Sequence, residues 1–322
     1  MAATAKRTTE TLEIGGHSLV LSNRNKLLWP ADAISKGDLI DYYRAVAPSM
    51  LPHLRGRPLT LERYPNGIDE ASFFEKHAPR GLPAWIPTLR VPSDSGRHAP
   101  IDFILCNDEA ALVYVANLAA IVLHVWTSHE GALDRPEFLF FDLDPDQTCT
   151  VGRLGSVALA VRATLTELGL APVVKSSGGS GLHLAVPLAL EYEYEFCRGF
   201  AELIARRVHE RVPEATTLER MPAKRPSGTV YLDYVQVGKG KTLVAPYSVR
   251  PRAGAPVSTP LEWPEIEALA RKRTRGTEAE FARYTLKNIP KRLAERGDLW
   301  SGAHWKPQKL ERALGRAQKL WR

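Results

Sequence analysis

Cysteine is scarce in this chain: Cys106, Cys149 and Cys197 stand far apart, with no C-x-x-C pair. That spacing excludes a zinc knuckle and a disulfide framework, and reads as three structural thiols in a reducing cytoplasm. No apolar run approaches the roughly 20 residues that span a bilayer. The first residues, MAATAKRTTETLEIGG, lack the apolar stretch of a secretory signal. The phosphate-loop pattern G-x-x-x-x-G-K-[ST] is missing. So are a K-x-D-G signature, internal repeats and low-complexity linkers.

Of the 322 residues, 44% are hydrophobic and 25% charged, as in ordinary soluble globular proteins. The net charge of +7 is unevenly spread. Residues 271–322 hold 15 Lys/Arg against 5 Asp/Glu, whereas residues 1–270 hold 28 against 31. The basic end is either a segment that follows phosphates or a solubilising helical face.

The patterning predicts a mixed α/β (α+β) chain, with helices packed on a sheet core. Ser35 and Asp38 predict a capped helix over 35–50, with Leu39, Tyr42, Tyr43 and Val46 as its apolar stripe. Strands are expected at 57–64, 137–144, 171–176, 182–188, 229–237 and 242–246. Helices are expected at 153–168, 191–211 and 264–273. Residues 108–122 read as a buried helix or apolar segment. Five prolines make 78–100 a long loop with a short strand near 88–91. Residues 277–320 read as helical, with breaks at Pro290 and near Trp300.

EFLFFDLDPD at 137–146 carries the strongest chemical signal. Alternation on a strand puts Asp142 and Asp144 on the face that also carries Phe138 and Phe140. Two carboxylates there repel each other, and a divalent cation removes the repulsion. The alternative is a polar strand end running into a proline turn. In TVYLDYVQV at 229–237, Asp233 sits inside an otherwise apolar strand, which is costly unless it is paired or metal-bound. Together the three aspartates suit two cations about 4 Å apart that clamp a phosphoryl transfer. Hard oxygen ligands favour Mg²⁺ or Mn²⁺.

Between two expected strands lies KSSGGSGLHLAVPL at 175–188. Gly178, Gly179 and Gly181 allow backbone amides to approach an anion, and Ser176, Ser177, Ser180 and His183 add donors. A flexible hairpin is the other reading. Lys224, Arg225, Lys239, Lys241 and Arg250 are candidate triphosphate cations, and Gln236 is a candidate polar contact.

Taken in order, FFEKHAPRGLPAWI, NLAAIVLHVW, FDLDPD, SSGGSGLH and YLDYVQ…KTLVAPYSVR resemble the polymerase domain of bacterial ligase D, in the archaeo-eukaryotic primase superfamily. The resemblance runs from about residue 12 to about 305. It implies a single primase-polymerase domain over 1–322 with an RRM-like catalytic sheet and flanking helices. Residues 1–135 would form an N-terminal α/β part, 136–260 the catalytic part and 261–322 a basic helical segment. Asp142, Asp144 and Asp233 match the family's metal-binding carboxylates. Ser177, Gly179, Ser180 and His183 match its triphosphate loop. His124, Arg225, Gln236 and Arg250 match further nucleotide contacts. Phe73 and Phe74 match an aromatic pair at the templating base, and Asn23, Lys26 and Lys36 a pocket for a 5′-phosphate. The Pro-rich stretch at 82–96 matches a loop that brings DNA ends together. The sequence departs from the family at Glu62, within a usually basic run, at Ser180, where lysine is usual, and in the Arg225–Asp233 spacing.

The activity so implied is template-directed, metal-dependent nucleotidyl transfer from NTP or dNTP to a primer 3′-OH, with ribonucleotide preference. It would act at gaps, overhangs and 5′-phosphorylated ends in bacterial non-homologous end joining, at the nucleoid, with Ku and a DNA ligase as partners. A non-catalytic RRM-like nucleic-acid-binding module, a two-metal nuclease and a de novo primase remain open at this point.

Overall fold

The computed structural model describes residues 8–92, 99–302 and 305–321. Two hairpins open it: β1 (Thr9–Ile14) with β2 (His17–Ser22), and β3 (Leu27–Trp29) with β4 (Ile34–Ser35). The helix α1 (Lys36–Met50) follows, capped as its sequence predicts. The Ser35 hydroxyl accepts from the Asp38 amide at 3.1 Å, and the Asp38 carboxylate accepts from the Ser35 amide at 2.7 Å. Its apolar stripe is buried.

Next come β5 (Pro58–Arg63), β6 (Phe73–Glu75), β7 (Thr88–Val91) and β8 (Ile101–Leu105). The apolar run at 108–122 divides in two. The helix α2 (Glu109–Asn117) starts on the Asp108 N-cap, and the strand β9 (Ala120–Trp126) begins after Ala119, whose φ is 55°. That left-handed residue lets the chain reverse, and the β-branched run beyond it favours a strand.

The catalytic candidates lie on the next stretch: β10 (Phe138–Pro145), α3 (Val151–Glu167), β11 (Val173–Ser176), β12 (Leu182–Pro187), α4 (Tyr194–Arg211), β13 (Thr216–Thr217) and β14 (Val230–Asp233). The chain closes with β15 (Thr242–Val244), β16 (Pro260–Leu261), α5 (Trp263–Ala270), α6 (Thr277–Phe281), α7 (Ile289–Arg296) and α8 (Glu311–Leu320). The strand expected over 229–237 ends early. Asp233 accepts from the Val235 amide at 3.1 Å and turns the chain into a 3₁₀ turn over Tyr234–Gln236. Pro290 occupies the first turn of α7, where a missing amide hydrogen costs nothing, so it starts a helix rather than breaking one.

Two six-stranded sheets organise these elements. One runs β15-β9-β5-β8-β7, with β6 also paired to β5; the other runs β13-β14-β10-β12-β11-β16. β15 follows the catalytic strands in sequence yet pairs with β9, so the chain crosses between sheets. A continuous buried core includes Leu61 and Leu123 from the first sheet and Leu143 and Leu184 from the second. Helices α3 and α4 pack on the second sheet. Tyr42 and Tyr43 tie α1 down by donating to the carbonyls of Tyr247 and Ile121 at 2.8 and 2.7 Å. Among the described residues, no helix is long and apolar enough to cross a membrane.

Candidate active site

β10 is the central strand of the site. Leu139, Phe141 and Leu143 are buried on one of its faces. Phe140, Asp142 and Asp144 line a cleft of about 300 Å³ on the other. Antiparallel pairing sets Asp142 opposite Asp233 on β14 and opposite His183 on β12. Two carboxylates directly opposed on neighbouring strands destabilise the pairing when both are ionised. Burial and the Asp142 carboxylate together raise the pKa of Asp233. For Asp142, burial pushes the pKa up, but His183, Lys175 and Arg250 outweigh it and the net shift is down. Asp144 is more exposed than Asp142, and its carboxylate accepts from Arg225 at 2.7 Å.

These carboxylates suit a hard divalent cation. Their donors are all oxygen, and two face each other in register at a partly buried place where a cation would relieve their repulsion. Among the described residues, no group of three or more His, Cys, Asp or Glu side chains already closes on one point. Arg225 offers a geometric reason, since it holds Asp144. Its guanidinium stacks 4.0 Å from the Tyr231 ring centroid and also donates to the carbonyls of Glu219 and Arg220.

The glycine segment is a built loop. Ser177 Oγ accepts from the amides of Gly179 and Gly181, both at 3.2 Å. Gly178 has φ +72°, and a Cβ there would stand 2.7 Å from both Arg250 Cγ and the Ser258 amide nitrogen. At Gly181 a Cβ would meet the Leu143 carbonyl oxygen at 2.6 Å. The loop thus lies directly on β10 and on Arg250, an approach only glycine permits. The Nε of Arg250 is buried and has no hydrogen-bond partner among the described residues. Burial lowers its pKa.

The first sheet supplies the opposite wall through His124, Thr242, Leu243 and Val244. His124 Nε2 lies 3.4 Å from a Glu62 carboxylate oxygen, and the Phe74 ring is 5.7 Å from the imidazole. Burial lowers the His124 pKa against the opposing pull of Glu62. Phe73 and Phe74 are 43% and 62% exposed, and Phe74 stands beside His124 of the cleft wall. Arg63 covers Phe73, with its guanidinium carbon 5.1 Å from the ring centroid. Gln236 lines the cleft because the 3₁₀ turn after Asp233 carries it there. Lys239 is paired with Asp134 at 2.7 Å.

Asn23, Lys26 and Lys36 gather at the start of α1, where the Lys36 amide donates to the Lys26 carbonyl at 2.8 Å. Their side chains are unequally placed. Lys36 is buried, and its ammonium donates to Ser22 Oγ and to the Asn117 carbonyl and amide oxygens. Lys26 is half-buried and donates to Asn66 Oδ1 at 2.8 Å. Asn23, with φ 50°, accepts from the Thr8 amide at 3.2 Å. Of the stretch at 82–96, residues 93–96 lie outside the described residues.

Two residues of the site are not among those the sequence singles out. Arg252 lines the cleft and pairs with Glu278. Lys175 is wholly buried behind His183, and its signal is a lysine inside the apolar strand VVKS. A larger cavity, about 710 Å³, opens between α3, β11 and α5 around Arg162, Pro172 and Trp263, and it holds none of the candidate residues.

A mixed, mostly antiparallel sheet with carboxylates on its central strands, a glycine loop ending in histidine and a second sheet closing the cleft define a nucleotidyltransferase of the primase-polymerase type. The chain belongs to the LigD primase-polymerase domain family, whose model matches residues 35–300. It is 34% identical over 281 residues to the multifunctional non-homologous end joining protein LigD of Mycolicibacterium smegmatis, covering 87% of this chain and 35% of that protein. The namesake protein of Pseudomonas aeruginosa is 32% identical over 298 residues, covering 92% of this chain and 34% of that protein. The chain therefore spans about a third of the length of these curated relatives. Among solved structures, the polymerase domain of Mycobacterium tuberculosis ligase D in complex with DNA superposes with a TM-score of 0.78 at 31% identity, covering 88% of this chain and 96% of that one.

Proposed function

We propose that the chain extends a primer 3′-OH at gaps or 5′-phosphorylated ends of DNA by template-directed nucleotidyl transfer, in the repair of broken DNA by end joining. The observation that carries this reading is the register of β10, which sets Asp142 against both Asp233 and His183 beside the glycine loop. Asp142, Asp144 and Asp233 would hold Mg²⁺ or Mn²⁺, two ions, whose chemistry when bound is to acidify the 3′-hydroxyl and neutralise the triphosphate.

The chain's own residues do the rest. Ser177 Oγ already accepts two amides, so its hydroxyl hydrogen remains to donate to a phosphate oxygen. Arg250, with an unpartnered buried Nε, and Arg252 place positive charge along the triphosphate path. Phe73 and Phe74 offer stacking surface, which tolerates any templating base. Lys26 and Asn23 are the accessible part of the 5′-phosphate pocket, and Lys36 holds it in shape. A ribonucleotide preference, dependence on a primer, the three-part division of the domain, location at the nucleoid and partnership with Ku and a DNA ligase belong to the same reading. It draws support from relatives named for non-homologous end joining and from a solved relative bound to DNA.

The test is extension of a primer across a 5′-phosphorylated gap, with Mn²⁺ or Mg²⁺ and either ATP or dATP. The wild-type chain is expected to synthesise, and Asp142→Ala/Asp144→Ala to lose synthesis while still binding the gap. DNA binding with no synthesis by the wild type at any metal concentration would turn the reading towards a binding module. Primer degradation without nucleotide would turn it towards a nuclease.

A further inference from the structure

Lys175 is 0% exposed, and among the described residues no carboxylate touches its ammonium. It stands on β11 as the Cα partner of His183 on β12. Its Nζ lies 2.8 Å from His183 Nδ1, 2.6 Å from Ser258 Oγ and 5.9 Å from the Trp300 ring centroid. A buried amine so placed is costly unless its hydrogens are all used.

The direction of these bonds follows from one hydroxyl. Ser258 Oγ donates its only hydrogen to the Ser176 carbonyl at 3.0 Å. It therefore accepts from Lys175. An ammonium has no lone pair, so in its contact with His183 it can only donate, and Nδ1 accepts. A neutral imidazole carries one ring proton. With Nδ1 accepting, that proton sits on Nε2, 3.4 Å from Asp142 Oδ1. A neutral amine could instead accept from an Nδ1–H through its lone pair, so the assignment is that of the ammonium form, and a proton found on Nδ1 is the outcome that overturns it.

We propose that Lys175 is a positioning residue that locks His183 in the Nε2–H tautomer, so that the imidazole presents a donor to Asp142 and to the cleft. The opposite tautomer would aim a lone pair at the Asp142 carboxylate and at any phosphate oxygen entering beside it. Outer partners of this kind orient the groups that touch metal or substrate, and their loss typically costs 10–100-fold in affinity or activity. The kinetic consequence rests on the polymerase reading above; the tautomer does not.

Two measurements test the tautomer and its consequence. Long-range ¹H–¹⁵N correlation spectra of the full chain labelled at histidine nitrogen, with His183 assigned by loss of its signals in His183→Gln, read the tautomer directly, without metal or DNA. The wild type is expected to show a protonated Nε2 and an unprotonated, hydrogen-bonded Nδ1. A proton on Nδ1 overturns the proposal, whether or not any Lys175 variant folds. In Lys175→Met, which keeps the apolar length of the chain but removes the donor, the Nε2–H preference is expected to relax. Gap filling is expected to fall by about tenfold or more at unchanged gap affinity. Lys175→Gln, which retains a donor, should recover part of both. A Met variant that keeps both tautomer and rate overturns the proposal. A wild type that makes no product fails the polymerase reading, while the spectra still support or overturn the tautomer.

Discussion

Asp233 sits across a strand pair from Asp142, and burial together with that neighbour raises its pKa. The folded chain therefore holds a proton on Asp233 more readily than the unfolded chain does. At neutral pH this residue costs stability, and the cost lifts as pH falls through its raised pKa. Asp233→Asn keeps the oxygen that accepts from Tyr231 and Val235 and removes the repelling charge. Thermal unfolding should show a higher Tm for the variant at pH 7, with the gain shrinking in acid. Gap filling should fall at least about 100-fold, since a ligating carboxylate is lost rather than one of its outer partners. An unchanged Tm at pH 7 would show that the pair is relaxed by something other than the proposed cation.

The elements around the site were legible where local rules decide them. The capping box of α1, the alternation of FLFFDLD and the glycine loop all fold as their sequences require. Sequence and structure part where tertiary context intervenes. TVYLDYVQV alternates like a long strand, but the Asp233 side chain captures an amide and stops it. The place of Lys175 is hidden from local pattern because it depends on a serine 83 residues away in sequence. Close packing makes the glycine loop a unit with β10, and this can be tested. In Gly181→Ala the methyl group would fall 2.6 Å from the Leu143 carbonyl, so the loop or the strand must move. The expected cost is about 1–3 kcal/mol of stability, read by denaturant unfolding, together with a raised KM for nucleotide. An unaltered KM would detach the loop from triphosphate binding.

Across the whole molecule, positive charge is concentrated in the last sixth of the chain, while the site itself is built on acidic residues. On the proposed function, such a distribution would draw DNA in by its backbone and leave the cleft to a metal-bound nucleotide. The proposed 5′-phosphate pocket lies in another part of the fold, at the start of α1, so recognition of the gap and recognition of the nucleotide should separate. Lys26→Ala is expected to weaken binding to a 5′-phosphorylated gap more than to an unphosphorylated one. It should also reduce the slope of log K against log salt by about one and leave the nucleotide KM unchanged. Lys36→Ala should behave differently, because its buried ammonium ties α1 to Ser22 and Asn117. A lower Tm is the expected reading there, with any loss of gap binding following from misfolding. Equal losses on both gaps for Lys26→Ala, at a constant salt slope, would remove Lys26 from the pocket and leave the basic C-terminal segment as the main hold on DNA.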